Sequence, residues 1–405
     1  MKNIFSDTIE VDNLEMAEKV IQGNLESFLM MFDSSPACMS ITTEDRIYVK
    51  INKRFLEIYG FDESEIIGRN AREVGILEQA EHERVSTIIR EKGRIKNEII
   101  KCKSKDRRDI YAISCIEQME LNGKNYLVSS FLDITPLKEQ QHIIEQQHRE
   151  ILESIRYAQL IQKAIFPSKE QLDAILPESF VLLKPKHIVS GDFYWIEKHE
   201  DKIFIAACDC TGHGVPGAFI SIIGYKLLSK CVTDYEHTNP AEILNQLNNE
   251  FQHANEKMNH KDCEIKDGMD IALCVIDTSK MIMEYAGAYN PIYQVKNGTL
   301  TKLATDKIPI HLFSNNTDQK FTNYQINIES GDCYYLFSDG YADQFGGENG
   351  KKFTYKNFQD LILSIQNLSM PNQREVFDQT IEEWKVTAGE EEQTDDILIL
   401  GFKVP

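Results

Sequence analysis

Ile203-Phe204-Ile205-Ala206-Ala207-Cys208-Asp209-Cys210-Thr211-Gly212-His213-Gly214 is the stretch that decides how the second half of this chain folds. An unbroken apolar run reads as a strand buried on both faces. It leads straight into Asp209, and a glycine-bearing turn follows. Beyond the turn, Phe219, Ile222, Ile223 and Leu227 mark a helix, with Pro216 in its first turn. A buried strand that delivers a carboxylate into a tight loop points to a site.

Three further segments repeat the theme. Ser190-Gly191-Asp192-Phe193-Tyr194-Trp195 places Asp192 before an aromatic strand, with Gly191 allowing an unusual backbone conformation. Tyr334-Tyr335-Leu336-Phe337-Ser338-Asp339-Gly340 again reads strand, carboxylate, turn. Gln393-Thr394-Asp395-Asp396 precedes a last apolar strand, Ile397 to Leu400. Carboxylates at the ends of neighbouring strands can converge on one point. Magnesium and manganese take such oxygen ligands and keep several waters. Two such ions close together can activate water and hold a phosphate. Each segment alone has a plainer reading: Asp-Gly is mostly a turn, and Thr394-Asp395-Asp396 is a solvated strand entry after Glu390-Glu391-Glu392. The order of all four overturns it.

Composition sets the frame. The 405 residues predict two domains with connectors, and 42% hydrophobic with 27% charged residues is globular. No apolar run approaches the ~20 residues of a membrane helix. The N-terminus lacks a secretory h-region, so the expected setting is cytoplasmic, with no membrane partner. Nine cysteines form no C-x-x-C pair, and Cys208 and Cys210 read as small buried strand residues rather than zinc ligands. Residues 1–133 hold 19 basic and 24 acidic side chains, so −5 of the net −20 lies there and −15 in the remainder. Without a basic stripe, nucleic acid is excluded as the expected partner.

Four parts follow: an N-terminal extension over 1–24 with a short helix at Asp12 to Gln22, a small α+β domain over 25–133, a linker helix over 134–168, and a larger α+β domain over 169–405. In the first domain Ser40 to Thr42 and Ile47 to Val49 read as strands around Glu44-Asp45. A helix starts at Asn52 and stops at Gly60; another runs from Ala80 to Lys92 and stops at Gly93. Strands are expected at Ile95–Cys102, Asp109–Glu117 and Lys124–Asp133, with Asn122-Gly123 as a hairpin turn.

This domain resembles a PAS sensor domain in Asn52-x-x-Phe55, Tyr59-Gly60-Phe61-x-x-x-Glu65-Ile66-Ile67-Gly68 and the closing Asp133-Ile134-Thr135. The resemblance implies a small ligand, cofactor or partner domain, of unknown identity. The light-sensing flavin branch has a reactive cysteine where Ala71 stands here, in Gly68-Arg69-Asn70-Ala71-Arg72, which excludes that adduct. His82, among Glu81, Glu83 and Arg84, reads as a solvated histidine rather than a haem ligand.

In the linker, Leu137, Ile144, Ile151, Ala158 and Ile165 fall every seven residues. The partner line Gln141, His148, Ile155, Gln162 is poor. Two readings stay open: a surface helix, or a marginal coiled coil joining two chains into a homodimer and shifting with sensor state. Pro167 ends the helix.

The second half resembles the PPM family of metal-dependent serine/threonine phosphatases, in its SpoIIE-type branch. Leu160 to Pro167, Gly214-Val215-Pro216-Gly217-Ala218 and Tyr285-Ala286-Gly287-Ala288-Tyr289-Asn290-Pro291 carry the likeness beyond the aspartates. It implies an α+β chain in which a PAS fold and a long helix precede a β-sandwich flanked by helices, with two manganese or magnesium ions between the sheets. Asp209 would bridge both ions, the Cys210 carbonyl would be a further ligand, Asp339 and Asp395 would hold one ion, and Asp192 would lie at the centre. Asp396 and Asp270 are weaker candidates. Cys210 stands where the family has glycine. His213 lies two residues beyond the position of the histidine in animal relatives, which Thr211 occupies, and reads as a turn residue. The implied substrate is a phosphorylated regulatory protein of the anti-anti-sigma type. The rival readings are a sensor-controlled pseudophosphatase scaffold and a hydrolase of small phosphoesters.

Overall fold

A computed structural model of the chain describes residues 26–121, 123–256, 268–311, 320–387, 389 and 392–404. The expected helix at Asp12 to Gln22, and Asn122, Glu390 and Glu391, lie outside them. The described chain divides into two compact units, with the division at Arg149 and Glu150.

In the first unit, β1 (Cys38–Thr43), β2 (Tyr48–Ile51), β3 (Ile95–Lys103), β4 (Asp109–Leu121) and β5 (Lys124–Asp133) form one antiparallel sheet in the order β2-β1-β5-β4-β3. Four helices, Lys53–Tyr59, Glu63–Ile66, Ala71–Val74 and Gln79–Lys92, join β2 to β3. The first begins where Asn52 caps Phe55 N–H and ends at Gly60, whose φ of 75° is left-handed. Strand β3 outruns its expected end because its ladder with β4 continues to Lys103–Asp109, and β4 outruns its own because its ladder with β5 continues to Leu121–Lys124. Between sheet and helices lies a cavity lined by Ser40, Arg46, Tyr48 and His82 among others. Its volume of about 60 Å³ is well below the ~150 Å³ that admits a benzene.

The helix Thr135–Ile165 is continuous across the division. In the second unit the strands are β6 (Ser179–Lys184), β7 (Phe193–His199), β8 (Lys202–Cys210), β9 (Gly268–Asp277), β10 (Ile282–Ala288) and β11 (Ile292–Lys296). They continue with β12 (Thr299–Lys302), β13 (Ile310–His311), β14 (Tyr324–Asn327), β15 (Cys333–Phe337), β16 (Phe345–Gly346), β17 (Lys351–Lys352) and β18 (Ile397–Lys403). One sheet runs β14-β10-β9-β8-β7, with β13 on β9; the other runs β12-β11-β15-β18-β6.

Residue parity separates three apolar layers. Alternate side chains leave a strand on opposite faces. Ile205 and Ala207 of β8, Ala272 and Cys274 of β9, Leu336 of β15 and Leu398 and Leu400 of β18 pack together between the sheets. Phe204, Ala206 and Cys208 face the helices Val215–Thr233 and Pro240–Glu256 instead. Tyr335, Phe337, Ile397 and Ile399 face Tyr355–Ile365 and Met370–Thr387. The unit is a β-sandwich flanked by helices.

Two expectations change. Val215–Thr233 does have the length and hydropathy of a membrane span, but Ile220, Leu228, Cys231 and Val232 are buried in the core. Its packed face is that of Gly217, Ile220, Ser221, Gly224 and Leu228, and Phe219, expected on the apolar face, is 62% exposed. The small residues win because they let the helix approach the sheet: a Cβ on Gly224 would stand 3.2 Å from the Phe193 ring.

Candidate active site

The parity that builds the inter-sheet layer also builds the site. Asp209 is in step with Ile205 and Ala207, so it lies on the inner face at the end of β8. Asp270 is its direct partner on β9. Asp192 precedes β7 in step with Tyr194 and Ile196, also inner residues. From the opposite sheet, Asp339 follows β15, and Asp395 and Asp396 precede β18. The two are tied together there: Ser338 N–H donates to the Leu398 carbonyl at 3.0 Å, and Leu398 N–H donates to Ser338 Oγ at 2.9 Å. The structure therefore brings Asp192, Asp209, Asp339 and Asp395 to one end of the sandwich.

The carboxylates there raise one another's proton affinity. Burial raises the proton affinity of Asp192, and the Asp209 charge raises it further, while the Ser338 hydroxyl offsets part of this. Asp192 is 2% exposed, and its Oδ2 has no hydrogen-bond partner among the described residues. Asp209 is pushed up by burial first and then by Asp339 and Asp270, although Asp339 N–H leans toward its Oδ2 at 3.5 Å. Asp339 is raised by burial, then by Asp343 and Asp395, against a lowering pull from Lys352. Asp270 is pushed up to about 6 by burial and by Asp339.

An unpartnered buried carboxylate oxygen among other carboxylates fits a hard cation. Among the described residues no three His, Cys, Asp or Glu side chains close on one point as a finished cage. The residue set fits magnesium or manganese by its chemistry: acidic oxygens and a strand-end carbonyl at Cys210, with the Cys208 and Cys210 side chains turned to the helix-facing layer instead.

Asp396 proves to be the organiser. It is 2% exposed, and it accepts Lys186 N–H on Oδ1 and Gly191 N–H on Oδ2, both at 2.7 Å. It thereby clamps the turn before Asp192. Its place in step with Leu398 and Leu400 was the available signal. Asp395 is exposed, with its Oδ1 accepting Asp396 N–H at 2.8 Å. Gly191, expected to take an unusual backbone conformation, does not have a positive φ. It is glycine for proximity: a Cβ there would sit 2.7 Å from the Gly212 carbonyl and 3.2 Å from that of Cys210. Gly340 is tighter still, with Asp396 O at 2.0 Å from a Cβ.

His213 sits in the turn after β8, and its Nδ1 lies 3.1 Å from Nε2 of His187. His187, unremarked in the sequence, is 26 residues away along the chain. Only the fold of the Gly191 and Gly212 turns against each other pairs them. Eight cysteines lie among the described residues, all free, with Cys208 and Cys210 buried.

With this geometry in hand, comparisons place the chain. The model of stage II sporulation protein E (SpoIIE) matches residues 199–405, and that of the PAS domain matches residues 36–136. The phosphoserine phosphatase RsbU of Bacillus subtilis (strain 168) is 25% identical over 198 residues, which is 48% of this chain and 55% of that protein. The match thus spans about half the length of this curated relative. The SiaA-PP2C domain of Pseudomonas aeruginosa is 31% identical and superposes with a TM-score of 0.57, over 64% of this chain and 99% of that one.

Proposed function

Because this chain belongs to the stage II sporulation protein E family, we propose that its second unit is a protein serine/threonine phosphatase under the control of its PAS domain. The substrate is phosphoserine or phosphothreonine on a regulatory protein, and an anti-anti-sigma-type protein is the specific class we favour. The observation that carries the reading is the gathering of Asp192, Asp209, Asp339 and Asp395 at one end of the sandwich, with Asp192 Oδ2 buried and unpartnered.

Asp192, Asp209, Asp339, Asp395 and the Cys210 carbonyl are the groups that would hold two manganese or magnesium ions. Bound there, the ions supply the Lewis acidity that makes water a nucleophile at neutral pH and neutralises phosphate oxygens. The chain's own part is positional. Asp396 fixes the Gly191 turn through two backbone N–H groups. Ser338 stitches β15 to β18 and so sets Asp339 beside Asp395. The exposed edge of the site at Thr211, Gly212 and His213 leaves room for a protein-borne phosphate rather than enclosing a small molecule. We place the reaction in the cytoplasm, and two chains join through the exposed line Leu137, Ile144 and Ile151 of the linker helix.

The test is hydrolysis of a phosphoserine peptide and of p-nitrophenyl phosphate by the full chain, with Mn²⁺, Mg²⁺ or chelator, beside Asp209→Asn. Cation-dependent turnover abolished in the variant is expected. A folded wild-type chain that binds Mn²⁺ yet turns over neither substrate nor any phosphoprotein would move the reading to a scaffold.

A further inference from the structure

Gln162 stands on the line of the linker helix that periodicity assigns to a weak coiled-coil contact, yet it is 5% exposed. Its neighbours Leu160 and Ile161 are 62% and 42% exposed. A buried amide must find partners for both its N–H₂ and its oxygen. Gln162 Nε2 donates to the Ser190 carbonyl at 2.6 Å and to Ser221 Oγ at 2.9 Å, and Ser190 N–H donates back to Gln162 Oε1 at 3.2 Å. Ser190 lies outside any strand, so its backbone groups have no ladder to join. The glutamine side chain supplies what an adjacent strand would.

The same stretch of chain grips both sides of Asp192. Upstream, Gln159 Nε2 donates to the Ile188 carbonyl at 2.6 Å. Downstream, the Phe166 ring stacks on Phe193 at 5.6 Å between centroids, and Tyr194 OH donates to the Pro167 carbonyl at 2.6 Å. Ser190, Gly191 and Asp192 are consecutive. Gly191 N–H is committed to Asp396, so the remaining freedom of the turn is taken up at Ser190.

We propose that Gln162 is a positioning residue of the phosphatase site: by holding Ser190 at both N–H and carbonyl, it fixes the turn that presents Asp192 to the cations. This rests on the cation reading given above. The last turns of the linker helix then belong to the site itself, and a shift of the helix at residue 162 displaces Asp192 directly.

The test uses the full chain and Gln162→Met, which keeps length and bulk and removes every hydrogen bond. Mn²⁺ binding is measured by titration calorimetry, beside the Mn²⁺ concentration giving half-maximal turnover. Both are expected to weaken roughly tenfold or more, the range for residues that orient a ligand, with excess Mn²⁺ restoring turnover. Ser221→Ala, which removes one anchor of the amide together with the hydroxyl's own 3.3 Å bond to the Ser190 carbonyl, shows a smaller shift in the same direction and serves if Gln162→Met does not fold. A packing role alone would lower the unfolding temperature and leave the Mn²⁺ affinity of the folded protein unchanged, and that result overturns the proposal. Wild type that binds Mn²⁺ without turnover defeats the phosphatase reading instead, and the calorimetric comparison still decides the role of Gln162.

Discussion

Asn52 in the first unit and Asp192 in the second are both buried polar side chains beside a strand, and they are treated in opposite ways. Asn52 is fully buried, and its amide is saturated. Its Oδ1 accepts Met39 N–H and Phe55 N–H at 2.9 and 3.0 Å, and its Nδ2 donates to the Phe32 and Ala37 carbonyls at 3.0 and 2.9 Å. Such a group fixes a fold and has no capacity left for anything else. Asp192 is as buried, carries a free oxygen and faces other carboxylates. That arrangement opposes folding in the absence of a counter-ion. On the cation reading proposed above, satisfaction marks the residue that serves stability, and its lack marks the residue kept for chemistry.

Reciprocal exchanges test this directly. Asp192→Asn should cut cation-dependent turnover by more than roughly a hundredfold, the upper end for residues that only support a ligand. The same change should raise the unfolding temperature in chelator, because a buried like charge is removed. A variant that lost activity and stability together would break the contrast. Asn52→Asp should do the reverse. It deletes the donors to Phe32 and Ala37 and adds a buried charge, at a cost of about 3 kcal/mol. Trp195 and Trp384, the protein's two tryptophans, both lie in the second unit. The loss should therefore appear in urea unfolding followed by circular dichroism and be absent from the tryptophan fluorescence transition.

A third contrast runs along the linker helix. Leu137, Ile144 and Ile151 are 64%, 64% and 58% exposed, whereas Gln162 on the other line is covered by its own chain. If the exposed line joins two chains, Ile144→Glu with Ile151→Glu should convert a dimer to a monomer in sedimentation. Wild type that sediments as a monomer at every concentration would end the idea.

The same contrast explains what the sequence could tell. Strand-ending aspartates were legible because each lies within a short apolar pattern: Ile203 to Asp209, Tyr334 to Asp339. The first unit was legible for a similar reason, since Asn52, Gly60 and Gly93 act on their immediate neighbours. Asp396 was named only as a weaker ligand candidate, and its clamping role, like those of His187 and Gln162, was not legible because the partners are remote. Asp396 grips a backbone N–H 205 residues away, and Gln162 one 28 residues away. Heptad spacing shows that a helix has a stripe, and it does not say what covers the stripe. Gly191 was read as needing glycine for its backbone, and the close approach that also requires it was missed, since closeness of a second chain segment leaves no mark on local sequence.

The smallest expected effect is a pH dependence at Asp270. Burial and Asp339 raise its carboxyl from 3.8 to about 6. The folded state therefore holds its proton over a window, from about 4 to 6, in which the unfolded chain has released it. Stability contributed by that proton is present below the unfolded value and is lost as pH rises through the folded one. In chelator, then, Asp270→Asn should gain stability over wild type as pH rises from 4 to 7, by about 1 kcal/mol once solvent screening of a partly exposed group is allowed for. At pH 4 the two should unfold alike. With saturating Mn²⁺ the gain should shrink if Asp270 faces the bound cations, because a nearby positive charge restores the carboxylate to its ordinary range. A gain that is constant across pH would mean that the substitution acts through packing, and one untouched by Mn²⁺ would set Asp270 apart from the cation-binding group.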